Sequence, residues 1–274
     1  HGGKVQIESI HKLGGGQVAT ASALCARYGL KVRYVGRVGD DEIGKFSLAD
    51  LQSEPMDVSC VDKVSGASSQ YATILVDRPT GERTILWDRD SRLLYQEGEL
   101  KRDQLVQGQL LHLDGHDQQA SIQAARWAQE ADMKVSLDID RVRPGVEELL
   151  GLIDFLVPSL NFVQQFSGSQ DWKTGLRILS QHTDGFVGVT RGSQGAAALW
   201  EGDILEIPGI PVESVDTTGA GDVFHGAFVY ALLENHSVGR CLRFANTAAA
   251  LSCTRYGARG GIPTLEAVLS MMGE

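Results

Sequence analysis

The sequence predicts an α/β fold in three layers: a mostly parallel β-sheet flanked by helices, with a small β lid. Short apolar runs alternate with helix-like segments along much of the 274 residues, which is typical of βαβ units with strands buried on both faces. A hairpin-like segment at residues 68–87 interrupts this alternation, and residues 220–267 are rich in helix-like patterns. We therefore expect a single domain over residues 1–274 that carries a lid.

Five short apolar runs are predicted as strands of the main sheet. They cover residues 32–38, 110–113, 134–138, 154–157 and 186–190, and a helical run at residues 121–131 follows the second. Because ligands of parallel sheets bind at the carboxyl ends of the strands, we expect the functional site at that edge.

Two hairpins are predicted outside the βαβ series. The first joins residues 68–76 and 83–87 through a turn at residues 79–82, and we expect it to stand off the main sheet as a flap. The second joins residues 196–200 and 204–207 through a turn at residues 201–203.

Composition and charge exclude several functional classes. With 25 basic and 35 acidic residues the net charge is −10, which argues against nucleic acid as the main partner. No apolar run reaches the roughly 18 residues of a membrane-spanning helix. The cysteines are too far apart for a zinc site and favour a reducing cytoplasm; they are Cys25, Cys60, Cys241 and Cys253.

The strongest motif, at residues 216–226, is D-T-T-G-A-G-D-V-F-H-G. Its small residues Gly219, Ala220 and Gly221 precede an apolar helix at residues 223–233, so backbone N–H groups and the helix dipole can hold a phosphate there. Asp222 allows two interpretations from these residues alone. It is either a carboxylate favoured by the helix dipole or a base that accepts the proton of an attacking hydroxyl group.

This motif resembles the C-terminal signature of the ribokinase-like, PfkB-type sugar kinases, D-T-T-G-A-G-D-x-F-x-x-G, at every fixed position. Looser similarities run in the family's order through nearly the whole chain. They comprise G-G-G-Q-V-A-T-A at residues 14–21, V-G-R-V-G-D-D at residues 35–41, V-T-R-G-S-Q-G at residues 189–195 and G-A-R-G-G-I-P-T at residues 257–264.

The resemblance implies ATP-dependent phosphorylation of a primary hydroxyl group of a sugar. Asp222 would be the general base, and the amides of Gly219, Ala220 and Gly221 would hold the transferred phosphoryl group. The ATP-binding residues that it implies are Thr190, Gly192, Ser193, Gly195, Gly221 and Asn246. Asn246 can equally be a polar residue on a helix face.

On the sugar side, the resemblance implies contacts from Gly15, Gly16, Thr20, Asp114, Asp222 and Lys4, the last in a lid segment at residues 4–10. Thr20 stands where the family often has asparagine. Asp114 can also be a turn residue, and Lys4 a solvated side chain. Trp87 and Gly115 replace polar residues of some members, which favours a ketose or ribose-like substrate.

Metal ions are also implied by the resemblance. Magnesium is expected with ATP. A monovalent cation such as potassium is expected at Asp216, Thr218, Ser252, Arg255, Gly257 and Gly261, several of them acting through backbone carbonyl groups.

Two departures from the family pattern stand out. The family begins with a strand that ends in a sugar-binding aspartate, and its counterpart, about 25 residues, is expected before His1. The family's magnesium-organising N-x-x-E motif is replaced by Ser159-Leu160-Asn161-Phe162, so magnesium would be held differently, with help from Asn161 or Gln164.

Three functions remain open at this level: a sugar kinase, a nucleoside kinase of the same fold, and a catalytically weak protein that binds a sugar or a nucleotide. The altered N-x-x-E motif favours the last, and the retained Asp222 opposes it. The alternating apolar residues of the flap predict a homodimer that forms through the lid. No membrane or nucleic-acid partner is expected.

Overall fold

The computed structural model describes residues 6–76 and 83–274. Its strands are β1 (Arg33–Gly39), β2 (Asp57–Val64), β3 (Tyr71–Val76), β4 (Arg83–Asp88), β5 (Leu110–Leu113), β6 (Lys134–Leu137), β7 (Phe155–Leu156), β8 (Phe186–Thr190), β9 (Ala196–Trp200) and β10 (Asp203–Ile207). Its helices are α1 (Gln17–Arg27), α2 (Glu42–Gln52), α3 (Arg102–Leu105), α4 (Gln118–Glu130), α5 (Val146–Leu150), α6 (Leu160–Ser167), α7 (Trp172–Leu179), α8 (Ala220–Leu233), α9 (Val238–Ser252) and α10 (Leu265–Met272).

The main sheet has six strands in the order β10-β9-β8-β7-β6-β5. Strands β5 to β8 are parallel, whereas β9 and β10 form an antiparallel hairpin at one edge. Glu201 and Gly202 turn this hairpin with φ angles of 52° and 87°, the left-handed conformation of tight two-residue turns. The predicted mostly parallel α/β sheet is confirmed.

Two smaller sheets complete the architecture. β1 was expected in the main sheet, but it pairs in parallel with β2 in a separate sheet. The sequence analysis did not predict β2, because Asp57, Asp62 and Lys63 interrupt its apolar pattern. β3 pairs antiparallel with β4, with Thr73 opposite Leu86, as expected for the flap. The predicted turn at residues 79–82 lies outside the described residues.

Helices cover both faces of the main sheet. On one face α1, α8, α9 and α10 bury a cluster that includes Leu24, Phe228 and Phe244. On the other face α4 to α7 bury a second cluster around Leu149 and Phe162. Consecutive residues of β9 point into opposite clusters, as the alternation of a strand requires. The predicted three layers are therefore present.

Helices α1 and α8 cross at an unusually short distance. A β-carbon on Gly226 would lie 2.7 Å from the carbonyl oxygen of Ala21, so no larger residue fits there without a shift. The Cys25 thiol donates a hydrogen bond of 3.2 Å to the carbonyl oxygen of Gly226. This crossing fixes the first turns of α1 relative to the start of α8.

Across residues 6–76 and 83–274, none of the helices combines the length and the apolar character needed to cross a bilayer.

Candidate active site

The start of α8 leaves its backbone amides accessible. Gly219 precedes the helix with a φ of 80°, and no side chain of the described residues caps this end. A β-carbon on Gly219 would lie 2.4 Å from that of Ala258, so the position requires glycine. Next to Gly221, in contrast, no atom lies within 4 Å of where a β-carbon would be. Gly219, Ala220 and Gly221 thus form an open end that can hold an anion.

Asp222 lies in the first turn of α8, half-buried beside this open end. Burial raises the pKa of its carboxyl group, and the negative charge of Asp138 raises it further. The side chain of Thr20, on α1, acts in the opposite direction, and the charge of Asp114 adds to the increase. The close packing of α1 and α8 therefore brings together Thr20 and Asp222, two residues that the sequence analysis assigned to the sugar side.

Asp138 directly follows β6 and is buried. Burial raises the pKa of this carboxyl group too, while a hydrogen bond with the Gln17 side chain opposes the increase. Two carboxyl groups that interact in a poorly solvated place cannot both ionise easily, so they retain a proton at a higher pH than isolated carboxyls. Asp222 is thus held as a base of increased strength.

Two histidines lie behind these carboxyl groups. His225 Nε2 is 3.3 Å from Asp138 Oδ1, and the rings of His225 and His112 are 5.6 Å apart. Burial lowers the pKa of each histidine to about 3. Both imidazoles are therefore neutral at pH 7, and the contact between His225 and Asp138 is not an ion pair.

The sequence analysis did not identify Asp138, His225 or His112 as site residues. One signal was available: Asp138 ends a parallel strand, as Asp114 does, and strand ends of this edge bind ligands. No comparable signal identified the histidines, because an isolated histidine in an apolar run looks like an ordinary core residue.

The predicted sugar-side residues gather around the start of α1. Gly15 and Gly16 are exposed there, and Gly16 begins the helix with a φ of 98°. Asp114 follows β5, and its carboxylate accepts a hydrogen bond of 2.9 Å from the backbone N–H of His116. His116 Nε2 lies 2.7 Å from Oε1 of Gln17, the first residue of α1. Lys4 lies outside the described residues.

The predicted ATP residues occupy the end of β8 and the turn that follows. Thr190 ends the strand, and Gly192 and Ser193 lie in a short 3₁₀ turn. Gly195 has a φ of 88°, and a β-carbon there would lie 2.2 Å from the carbonyl oxygen of Ile207. The turn is therefore pressed against the loop that follows β10.

Asn246 belongs to the same assembly. Its side chain is buried on α9 and donates a hydrogen bond of 2.9 Å to the carbonyl oxygen of Pro208. The loop at residues 207–209 thus connects Asn246 to the turn at residues 192–195. The amide of Asn246 has a local structural partner, which supports the helix-face interpretation as much as an adenine contact.

The six residues predicted to hold a monovalent cation also lie together. The Asp216 carboxylate accepts hydrogen bonds from the backbone N–H groups of Thr218 at 2.8 Å and Gly257 at 2.9 Å. A β-carbon on Gly261 would lie 2.8 Å from the Ser252 carbonyl oxygen and 2.9 Å from that of Gly257. Two carbonyl oxygens therefore flank Gly261.

Arg255 joins this loop through its backbone, whose N–H donates to the Ser252 carbonyl at 3.3 Å. Within the described part of the chain, no group of three or more His, Cys, Asp or Glu side chains could hold a metal ion. A cation at this loop would therefore depend on carbonyl groups and one carboxylate.

The segment that replaces the N-x-x-E motif is structural in this protein. Ser159 Oγ accepts a hydrogen bond of 3.3 Å from the N–H of Phe162 and caps α6. Phe162 is fully buried and stacks on Phe166. Asn161 accepts a hydrogen bond from Gln165, and Gln164 donates one to the Gln170 carbonyl. These residues do not fit the family's way of organising magnesium.

Comparisons with known proteins agree with this geometry. The family model described as pfkB family carbohydrate kinase matches residues 1–265. The chain is 30% identical to the ribokinase of Haemophilus influenzae, covering 94% of this chain and 87% of that protein. It is also 30% identical to the ATP-dependent ribose-1-phosphate kinase of Halopiger xanaduensis, covering 99% of this chain and 90% of that protein.

Solved structures show the same fold. A crystal structure of a candidate ribokinase from Agrobacterium tumefaciens superposes with a TM-score of 0.92 and 29% identity, covering 100% of this chain and 90% of that one. The Arabidopsis thaliana ribokinase, solved with ribose and ATP, superposes with a TM-score of 0.85 and 24% identity, covering 100% and 92%. The matched fold, the complete motif around Asp222 and the family match lead to one conclusion: the chain belongs to the pfkB family of carbohydrate kinases and is an ATP-dependent kinase of the ribokinase fold.

Proposed function

We propose that this protein transfers the γ-phosphoryl group of ATP to a primary hydroxyl group of a sugar, with Asp222 as the general base. The observation that carries the proposal is the position of Asp222, half-buried beside the open amides at the start of α8. Its raised pKa makes it a stronger base than an exposed aspartate, while it still ionises near neutral pH.

Catalysis in this proposal consists of positioning, charge stabilisation and one proton transfer. ATP binds along Thr190, Gly192, Ser193 and Gly195, with Asn246 beside the same loop, and its γ-phosphoryl group points at the start of α8. The N–H groups of Gly219, Ala220 and Gly221 stabilise the charge of the phosphoryl group as it is transferred. Asp222 accepts the proton of the sugar hydroxyl group as the hydroxyl oxygen bonds to the γ-phosphorus. The bond between that phosphorus and the bridging oxygen breaks, and ADP is the leaving group.

The sugar is held at the opposite side of Asp222. Gly15 and Gly16 lack side chains and are exposed, so the sugar can approach the backbone at the start of α1. Thr20 and Asp114 offer a hydroxyl group and a carboxylate to its other hydroxyl groups. Lys4 is proposed as a further contact from the lid segment at residues 4–10.

Metal ions enter the proposal in two ways. Magnesium arrives as part of the MgATP substrate, and no step is assigned to Ser159, Asn161 or Phe162. Potassium is proposed at the loop that contains Asp216, Thr218, Ser252, Arg255, Gly257 and Gly261. Each carbonyl oxygen beside Gly261 already accepts one hydrogen bond and retains a second lone pair that can bind a cation. The ion would stabilise the adjoining start of α8.

The hairpin β3–β4 is proposed as the lid of the single domain and as the contact of a homodimer. Paired positions place Trp87 and Ile85 on one face, and Tyr71 and Leu86 on the other. All four side chains are exposed in the isolated chain. One face can cover the sugar while the other packs against a second copy.

The buried thiols of Cys25, Cys60 and Cys241 support a reducing cytoplasm as the compartment.

A nucleoside kinase is the second candidate, because the chain is 25% identical to the nucleoside kinase of Methanothermobacter thermautotrophicus over 96% of its length. ADP release should be measured with MgATP and a panel of pentoses and hexoses, alongside adenosine and inosine. We expect release with a sugar. Release with a nucleoside alone would establish the second candidate, and ligand-induced thermal stabilisation without release would favour a binding protein.

A further inference from the structure

We propose that the sugar substrate carries an anionic group, a phosphate ester or a carboxylate, which binds in a cavity lined by Arg89 and Arg143. This inference rests on the proposed sugar kinase function and specifies its substrate class. The sequence analysis expected only a ketose or ribose-like sugar and assigned no role to either arginine.

The cavity lies between the lid and the sugar-side edge of the main sheet. Its volume is about 250 Å³, and its lining residues are Trp87, Arg89, Ser91, Leu94, His116 and Arg143. Trp87 belongs to β4 of the lid, and His116 follows β5. The guanidinium group of Arg141 lies over the Trp87 ring, 5.1 Å from its centre, and adds a third positive charge at the rim.

The arginines around this cavity have no carboxylate partner among the described residues. Within residues 6–76 and 83–274, no ion pair involves Arg89, Arg141 or Arg143. By contrast, Arg37 and Arg92, which line a second cavity of the protein, pair with Glu99 and Asp90. In a chain of net charge −10, positive charge that remains uncompensated around one cavity points to an anionic ligand.

The cavity adjoins the proposed sugar site through His116 and Arg143. Arg143 Nη1 donates a hydrogen bond of 2.8 Å to the carbonyl oxygen of Gly115, next to Asp114. The neighbouring His116 contacts Asp114 through its N–H and Gln17 through its ring. An anionic group beside Arg143 would therefore lie next to the residues that are proposed to bind the sugar.

The charges that act on the Tyr34 hydroxyl group indicate that Arg89 lies near Asp114. Burial raises the pKa of the Tyr34 hydroxyl to about 12, the charge of Asp114 raises it further, and that of Arg89 lowers it. Both charged groups therefore lie within range of one hydroxyl group. Arg89 and Arg143 approach the cavity from different segments, one after β4 and the other between β6 and α5.

Guanidinium groups are suited to phosphate and carboxylate because their N–H groups donate paired, charge-assisted hydrogen bonds. One N–H of Arg143 is used by Gly115, which fixes the guanidinium group and leaves its other N–H groups for a ligand. A neutral sugar would leave these positive charges without a counter-charge, which is why we infer a charged one.

The test is calorimetric titration of the full chain without ATP. The ligands are D-ribose, D-ribose 1-phosphate and D-ribonate, together with D-fructose and D-fructose 6-phosphate. The phosphate and carboxylate members distinguish the two kinds of anion. We expect at least one anionic member to bind more tightly than its neutral parent.

Arg89→Gln and Arg143→Gln should each weaken that binding by roughly 10- to 100-fold, the range for a hydrogen bond to a charged group. Binding of the neutral parent should change little. Arg102→Gln is the matched control, because Arg102 is exposed and pairs with Glu130. Thermal unfolding of each variant shows whether it is folded, and a Lys replacement, which keeps the charge, should restore part of the affinity.

The inference is overturned if no anionic sugar binds more tightly than its neutral parent, or if both arginine variants bind the anion as the wild type does. A parallel ADP-release assay separates this result from failure of the proposed function. Release with neutral sugars, unaffected by the variants, would leave a sugar kinase without an anion site. Arginine-dependent binding of an anionic sugar without release would support the anion site and reject the kinase proposal.

Discussion

The start of α8 and the hairpin β3–β4 are both rich in apolar residues, but those of α8 are buried and most of those in the hairpin are exposed. From Val223 to Val229 every side chain of α8 is buried. In the hairpin, Tyr71, Leu75, Ile85, Leu86 and Trp87 are all exposed, Leu86 by 57%. Packing thus fixes the α8 segment within the isolated chain, whereas the hairpin leaves apolar side chains exposed, which a ligand or a second chain would cover in the function proposed above.

This difference separates two kinds of functional apparatus. The proposed base and its anion-binding amides would have to hold their geometry without a ligand, and they lie on a buried helix that packs closely against α1. The proposed lid would change its environment during the catalytic cycle, so its apolar residues would not all be covered in one state. Substitutions in the two regions should therefore affect different quantities.

The largest effect is expected from Asp222→Asn, which removes the proton acceptor and keeps the shape of the side chain. We expect kcat to fall by about 10²- to 10⁴-fold. ATP should bind nearly as before, because no nucleotide contact is lost and repulsion of its phosphates decreases. Single-turnover kinetics and nucleotide titration measure the two quantities. A kcat within about threefold of wild type would contradict the role of Asp222 as base.

The next largest effect is expected on the dissociation constant of the proposed homodimer, after a substitution in the hairpin. Leu86 is exposed on the face of the hairpin that it shares with Tyr71, opposite to Trp87. Leu86→Ser should raise the dimer dissociation constant by about tenfold or more, since burying a leucine side chain contributes roughly 1.5–3 kcal/mol. Sedimentation over a range of concentrations measures this constant. Met271→Ser is the matched control, because Met271 is an exposed residue of α10, and it should leave this constant unchanged. A wild-type protein that stays monomeric at micromolar concentration, with or without sugar, would contradict the dimer.

A smaller effect is expected when the charge behind the base is removed. Asp138→Asn eliminates the negative charge that raises the pKa of Asp222. The pKa of Asp222 should then fall, so Asp222 remains ionised in more acidic solution. In a plot of kcat against pH, the acidic limb should therefore move to lower pH.

The control for this substitution is Asp140→Asn, since Asp140 is exposed and contributes least to the raised pKa of Asp138. Asp140→Asn should shift the acidic limb of the pH dependence of kcat by less than Asp138→Asn does. An acidic limb of Asp138→Asn at or above the wild-type position would show that the two carboxyl groups do not interact as inferred.

The smallest effect should come from the choice of monovalent cation. If potassium occupies the loop beside Gly261, activity should be several-fold higher in potassium than in tetramethylammonium, whose size prevents it from entering between the carbonyl oxygens. Initial rates at matched ionic strength test this. Equal rates would remove the cation from the mechanism and leave the role of Asp222 untouched.

The sequence predicted best those elements whose pattern is local. Residues 110–113 and 186–190 are strands with the predicted bounds, because each is a short apolar run between polar residues. Helix α4 begins at Gln118 rather than at residue 121, since Asp117 caps its first turn. Strand β2 was missed because its polar residues interrupt the alternation of a half-buried strand.

Within the site, the sequence located groups that lie on one continuous motif and missed groups that only the fold brings together. Asp222 and its neighbouring glycines were found in a single run of eleven residues. His225 lies in that same run, but its contact with Asp138 spans 87 positions, 225 minus 138, and leaves no local signal. Arg89 and Arg143 also line one cavity without any local signal in the sequence, because the chain between them forms α3, β5, α4 and β6.

The close crossing of α1 and α8 has a consequence for protein engineering. Gly226 leaves no room for a β-carbon against Ala21, and Cys25 is hydrogen-bonded across the same junction. A chimera that exchanged one of these helices with that of a related kinase would have to match both surfaces at once. The two helices should therefore be transplanted as a pair. If the hairpin β3–β4 is the proposed lid, it could be exchanged by itself to alter the choice of substrate.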